Sequence, residues 1–300
     1  MKPIRSINAP DTAIFVGFTL NYDHLASVLL SLAGLDRNWC SSWIAPTEFG
    51  NQDLNVMLAV AYRHMAIPTA FWILLPKFGN SHTKERIRHV GLSGSVGWDR
   101  VAALVADREF IGQEWMEWLI GQNSFYLRLR NNLYRQTAQE NNPYRPFSRA
   151  RPFHQPLLFG KAPKVLGCYV YLAGMRLPKG EFLILACYHR PEQAIQYYKL
   201  RWEIETLFGA LKSRGFDLEK THLKDLDRVR KLIALLAIAF IWAYLVGIWK
   251  DQHLKPIRIL KHKRQNHSFF TYGLSHLKKC LLANEHRTHF KDCLNLLSCT

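Results

Sequence analysis

The sequence predicts an α/β fold, and three observations carry that expectation. Short apolar runs rich in strand-forming residues recur at Leu54 to Tyr62, Ile67 to Leu75, Val101 to Ala106 and Phe125 to Leu129. Helical patterns lie among and after them, an order that suits a sheet flanked by helices. A chain of 300 residues is long enough to bury a substantial core, as one large domain or two smaller ones.

From the N-terminus, "MKPIRSINAPDTAIFVGFTL" is mildly basic and lacks a long apolar stretch followed by a small-residue cleavage site, so no signal peptide is expected. "LAGLDRNW" sets Asp36 after an apolar run, and "VAALVADREF" sets Asp107 directly after a strand-like one. A carboxylate where a strand gives way to a loop can be aimed into a crevice. Between these acids, "RHVGLSGSVGWDR" carries Gly91, Gly94 and Gly97, each costing about 1 kcal/mol inside a helix, so a helix there is expected to be frayed or short.

Asn131 to Gln155 is rich in Asn, Pro, Arg and Tyr and has poor periodicity, which predicts a linker or mobile loop. Arg128, Arg130, Arg135, Arg145, Arg149 and Arg151 are interleaved with Tyr126, Tyr134, Tyr144 and Phe147 around it. That mixture suits a DNA-facing surface, with cations for phosphates and rings for stacking. Lys164 to Tyr188 contains two apolar runs about a Pro-Lys-Gly turn and predicts a hairpin or small sheet. Pro191 is well placed to open the next helix.

That helix holds "YYKLRWEIETLFGALK", residues 197–212. At about 100° per residue, Tyr198, Arg201, Glu205 and Lys212 fall within roughly 60° of arc, beside an apolar face of Leu200, Ile204, Leu207, Phe208 and Leu211. A carboxylate held at the border of the buried side, between two cations and a phenol, is positioned for a charged ligand. Trp202 borders the stripe and is expected to pack, with base stacking as its alternative. Farther on, "LIALLAIAFIWAYLVGIW", Leu232 to Trp249, has no charge. Its length permits either a membrane span or a buried core helix. A second basic cluster, Lys255, Arg258, Lys261, Lys263 and Arg264, follows.

Forty Lys and Arg against 23 Asp and Glu leave a formal charge of +17, which points to a polyanionic partner. The six cysteines show no CxxC pair and the 13 histidines no HxxxH, so both are expected to be ordinary core or surface residues in a reducing compartment. Asp36, Asp107 and Glu205 supply three carboxylates from separate elements. Hard divalent cations such as Mg²⁺ take such oxygen ligands, and two of them support in-line phosphoryl displacement.

Tyr198, Arg201, Glu205 and Lys212 reproduce the Y-R-E-K spacing of the IS-four family of DDE insertion-sequence transposases, which this chain resembles. The similarity extends through "RWEIETLFGALKSRGFDLEKTHL", "LAVAYRHMAIPTAFWILLPKFGNSHTKERI", "ADREFIGQEWMEWLI" and "YLAGMRLPKGEFLILA". The resemblance implies an RNase H-like α/β fold: a mixed five-stranded sheet with flanking helices and a β-rich insertion between the second Asp and the Glu. It implies residues 1–30 as a residual leader, 31–131 and 190–250 as the two parts of the catalytic core, 132–189 as the loop and insertion, and 251–300 as a basic C-terminal helical region.

Asp36, Asp107 and Glu205 become the catalytic acids and ligands of two Mg²⁺ ions, for which Mn²⁺ substitutes. Tyr198, Arg201, Lys212, Arg128 and Arg130 become DNA or phosphate contacts. The implied partners are double-stranded DNA, as terminal inverted repeats and target, and a second copy of the chain. The implied setting is the bacterial cytoplasm at the nucleoid, with Leu232 to Trp249 as a core helix and no membrane. The short leader, the shortened "DRNW" and the glycine-rich stretch depart from the family pattern, so a truncated or degenerate copy is expected. A catalytically inactive, transposase-derived DNA-binding protein is the alternative.

Overall fold

The computed structural model describes residues 17–35, 39–44, 47–49, 52–54, 56–62, 65–72, 83–84, 87, 101–122, 125–130, 157–158, 164–178, 181–211, 215–221, 223, 225–282 and 287–298. Helix α1 (Tyr22–Leu32) leads into β1 (Trp39–Ile44), the hairpin β2 (Thr47–Phe49) and β3 (Gln52–Leu54), then β4 (Val56–Tyr62), β5 (Met65–Trp72) and β6 (Val101–Ala106). Helix α2 (Gln113–Ile120) and β7 (Phe125–Arg128) follow. Next come β8 (Leu157–Leu158), β9 (Lys164–Val165), β10 (Cys168–Tyr169), β11 (Tyr171–Arg176) and β12 (Phe182–Cys187). Helices α3 (Ala194–Lys199), α4 (Arg201–Gly209), α5 (Leu226–His253), α6 (Phe269–Leu282) and α7 (Arg287–Asn295) complete the order.

Eight strands form one mixed sheet in the order β5-β4-β1-β6-β7-β12-β11-β8. β1 is antiparallel to β4 and parallel to β6, which is in turn parallel to β7. A mixed sheet with flanking helices was expected; its width was not. β12, β11 and β8 come from the stretch expected as a β-rich insertion, and they continue the sheet antiparallel from the edge of β7. Without them that edge would present a row of unpaired backbone groups.

Side chains alternate across the central strands with the period of two that a pleat imposes. Leu104, Ala106, Phe125, Leu127, Ile184 and Ala186 face a core built with Trp115, Met116 and Leu119 of α2. Ala103, Val105, Tyr126, Leu185 and Cys187 face the other side, under Ala194, Ile195 and Tyr198 of α3. β6 is thus covered on both faces, which is why it reads as a continuous apolar run.

The largest core joins Ala59, Val60 and Ile67 of the sheet to α1, α4, α5 and α6. Helix α1 starts where the Asn21 side chain accepts the His24 N–H at 2.9 Å, and it sends Leu25, Leu29 and Leu30 into this core. Part of the expected leader therefore belongs to the fold. Helix α5 is long and apolar enough to cross a membrane by length and composition. Here it is the central helix of the core, burying Ile233, Ala237, Phe240, Ile241 and Tyr244.

Helices α5 and α6 approach backbone to backbone. A Cβ on Gly273 would collide with the Ala243 carbonyl, and one on Gly247 with the Phe269 carbonyl. Alanine gains about 1 kcal/mol over glycine as a helix former. Overpacking against backbone that cannot yield costs about 3 kcal/mol, so the clash wins. Gly273→Ala is expected to destabilise the protein by roughly 2 kcal/mol, read as a lower urea midpoint at unchanged m-value; a raised midpoint would refute the close approach.

Candidate active site

Asp107 follows the last residue of β6, and its backbone bends at once: the Phe110 N–H donates to the Asp107 carbonyl at 2.9 Å. Its own carboxylate accepts the next N–H, that of Arg108, at 2.8 Å, which fixes the side chain at the mouth of the turn. Arg130, just beyond β7, donates from Nε to the Arg108 carbonyl at 3.0 Å and braces the same turn. Arg128, at the end of β7, brings a guanidinium nitrogen to 3.7 Å from Asp107 Oδ1.

The run expected as one helix over residues 197–212 is two. Helix α3 ends at Lys199 and α4 begins at Arg201, joined through Leu200 with φ −64° and ψ −18°. The Leu200 N–H bonds the Tyr197 carbonyl three residues back, and the Glu203 N–H bonds that of Leu200. Such a 3₁₀ step brings positions i and i+3 nearly into line. Tyr198 and Arg201 are accordingly superposed, with the guanidinium 5.4 Å from the ring centre. Ile204, Leu207, Phe208 and Leu211 are buried as the apolar face requires.

This joint delivers two side chains to Asp107 and brings a third, Glu205, within reach of one of them. The Tyr198 hydroxyl donates to Asp107 Oδ1 at 3.2 Å. One Arg201 nitrogen lies 2.7 Å from Glu205 Oε1 and 3.8 Å from Asp107 Oδ2, so those two oxygens are separated by at most the sum, 6.5 Å. The Arg201 side chain is 12% exposed, Asp107 27% and Glu205 55%, so the site grades from a buried cation to an acid open to solvent. Burial opposes the Arg201 charge most strongly, but Tyr198, Asp107 and Glu205 together outweigh it and leave its pKa raised.

Asp107, Glu205, Tyr198, Arg201 and Arg128 therefore converge, with Arg130 one step away. Lys212 and Asp36 lie outside the described residues, as do Arg135, Arg145, Arg149, Arg151 and the Gly91 to Gly97 stretch. β1 runs parallel to β6, with Trp39 beside Val101 and Trp43 beside Ala106.

Two aromatic residues differ from expectation. Tyr126 is fully buried at an inward-facing strand position, stacked on Tyr197 at 5.2 Å, and its hydroxyl donates to the Arg190 carbonyl at 3.2 Å. It anchors the start of the α3 segment and offers no face to a base. Trp202, expected to pack, is 64% exposed beside the site, because the turn from α3 to α4 points position 202 away from the core.

Sequence reasoning also passed over a group on α6 and α7. Ligand atoms of the buried His276, Cys280 and Cys293 all lie within 4.8 Å of one another. The signal is an HxxxC spacing present twice, in "HLKKC" and "HFKDC", where no Cys/His box was expected.

The Tyr198 phenol is pushed up from 10.0 to about 12, by burial first and the Asp107 charge second, with Arg201 and Arg128 pulling it down. Unfolding returns it to its ordinary value, so its contribution to stability is complete below pH 10 and is lost as pH rises toward 12. Tyr198→Phe removes this titration. Urea midpoints of the variant measured from pH 9 upward should fall less steeply than those of the wild type; parallel curves would contradict the burial of an ionisable phenol here.

The arrangement offers two carboxylates for a hard cation and two guanidiniums for phosphate oxygens at the carboxyl end of a central parallel strand. Among curated proteins no relative matches the chain. A family model described as the transposase DDE domain matches residues 63–242, a span that contains Asp107, Arg128, Tyr198, Arg201 and Glu205. The chain belongs to the transposase DDE domain family.

Proposed function

We propose that this chain is an insertion-sequence transposase that cleaves DNA at element ends and joins the freed ends to a target. The carrying observation is that Asp107 and Glu205, from distant parts of the chain, share the single Arg201 guanidinium. An RNase H-like core is supported by the antiparallel β5-β4-β1 half of the sheet followed by β6 and β7 parallel to β1.

Asp107 and Glu205 are hard oxygen donors from separate elements and fit a Mg²⁺ or Mn²⁺ ligand set. Bound ions would supply an activated water or 3′-hydroxyl and stabilise the leaving oxygen. Arg201 keeps the two acids together and, with Arg128, offers charge-assisted bonds to the phosphate; Tyr198 orients Asp107 through its hydroxyl. Trp202, exposed beside them, can stack on an unpaired base. The exposed turn between α5 and α6, with Lys255, Arg258, Lys261, Lys263 and Arg264, suits phosphate contacts along the duplex. Lys212 joins the phosphate contacts by the Y-R-E-K spacing, and paired ends call for a second copy of the chain.

Asp36 is the third acid on the family pattern. One observation favours the second reading, a DNA-binding protein that no longer cuts. The "DRNW" run that holds Asp36 is one residue short of the family's motif.

The test is Mg²⁺-dependent nicking of DNA carrying the element's terminal inverted repeats. Asp107→Asn and Glu205→Gln should each abolish several kcal/mol of charge stabilisation, lowering the nicking rate on the order of 10³-fold while sparing salt-sensitive binding. An equal loss in Asp36→Asn would establish the third ligand. Undiminished nicking by the Asp107 and Glu205 variants would overturn the assignment, and wild-type binding without nicking would establish the second reading.

A further inference from the structure

We propose that helices α6 and α7 hold a structural zinc ion at His276, Cys280 and Cys293, with His289 as the fourth ligand. His276 and Cys280 stand four residues apart on α6, and His289 and Cys293 stand four apart on α7. Residues so spaced share one face of a helix, so each helix presents one imidazole and one thiol to the other.

The distances suit one ion. Zinc bonds of about 2.3 Å to sulfur and 2.0–2.1 Å to nitrogen place tetrahedral ligand atoms roughly 3.3–3.8 Å apart. The His276, Cys280 and Cys293 ligand atoms already lie within 4.8 Å of one another. Two imidazoles on one tetrahedral ion have ring centres roughly 5 Å apart; those of His276 and His289 are 5.8 Å apart. Adjustment of the His289 imidazole, whose nitrogens are not among the atoms within 4.8 Å of one another, would complete the set.

The surroundings also fit. His276 and Cys280 are each 4% exposed and Cys293 is fully buried, and closed sites of this kind are structural. Trp249 of α5 lies against both imidazoles, at 6.1 Å from His276 and 6.2 Å from His289. Trp242 of the same helix donates to the Cys293 carbonyl at 2.7 Å, fixing the α7 turn that carries the thiol. Cys280 and Cys293 are both free thiols. A zinc ion would bind them as thiolates, release both protons and cancel their charge. All four residues lie beyond residue 242, where the family match ends.

The experiment uses the full chain purified from zinc-supplemented medium. Elemental analysis should give about one zinc per chain. Exchange into Co²⁺ should produce the intense visible bands and near-ultraviolet thiolate charge-transfer absorption of a tetrahedral sulfur-ligated site. Cys280→Ser and Cys293→Ser should lose both signals, whereas Cys168→Ser and Asp107→Asn, at sites remote from α6 and α7, should keep them. His289→Asn should retain the thiolate charge-transfer band at a metal affinity lower by about 10-fold or more. A wild-type chain that takes up neither zinc nor cobalt would overturn the proposal without reliance on any variant. So would a Cys280–Cys293 disulfide found by peptide mapping, or a cobalt spectrum unchanged by Cys280→Ser.

Discussion

The guanidinium of Arg201 is the point on which the site depends. Two carboxylates within 6.5 Å of each other repel, and in a site partly withdrawn from water that repulsion is poorly screened. Arg201 offsets it with one nitrogen, at 2.7 Å from Glu205 and 3.8 Å from Asp107. Its other neighbours serve that placement: the Tyr198 ring beneath it and the 3₁₀ step at Leu200 that aligns the two. The cation occupies ground between the acids that a divalent ion would also seek, so a metal bound between them would have to displace it.

The sheet explains why these groups meet at all. β6 lies between two parallel neighbours, so its carboxyl end opens beside the ends of β1 and β7. Asp107 and Arg128 are the first polar groups at the ends of adjacent parallel strands, and their approach to 3.7 Å follows from that register. Tyr126, one strand away and facing inward, then fastens the α3 segment through Arg190 and sets where Tyr198 and Arg201 arrive.

Much of this was legible in the chain. The strand bounds of β6 coincide with its apolar run, and of the Y-R-E side chains Tyr198 and Arg201 meet Asp107 while Glu205 pairs with Arg201. Less visible were features whose cause is non-local. β1, "WCSSWI", has neither alternation nor a continuous apolar run, and it is a strand because β4 and β6 pair with its backbone. The break at Leu200 leaves no helix-breaking residue to read, since Leu favours helices and the step is set by where Tyr198 and Arg201 must lie. Tyr126 looked like a stacking ring because it sits among arginines, but strand alternation places it inward. Lys212 and Asp36 lie outside the described residues.

Helix α5 ties the two ends of the molecule together. A 28-residue helix so apolar that it could pass for a membrane span needs cover on more than one side to be stable in a globular core. The sheet and α1 cover one side, and α6 lies against another at glycine-to-backbone distance. The family match stops at residue 242, within α5, yet the helix runs on to His253 and its Trp242 and Trp249 pack under α6 and α7. The C-terminal helices are thus structural cover for the helix that packs behind α4. Because α7 is a short helix whose deepest residue is Cys293, a bond through that side chain would hold it in place more effectively than its apolar contacts alone.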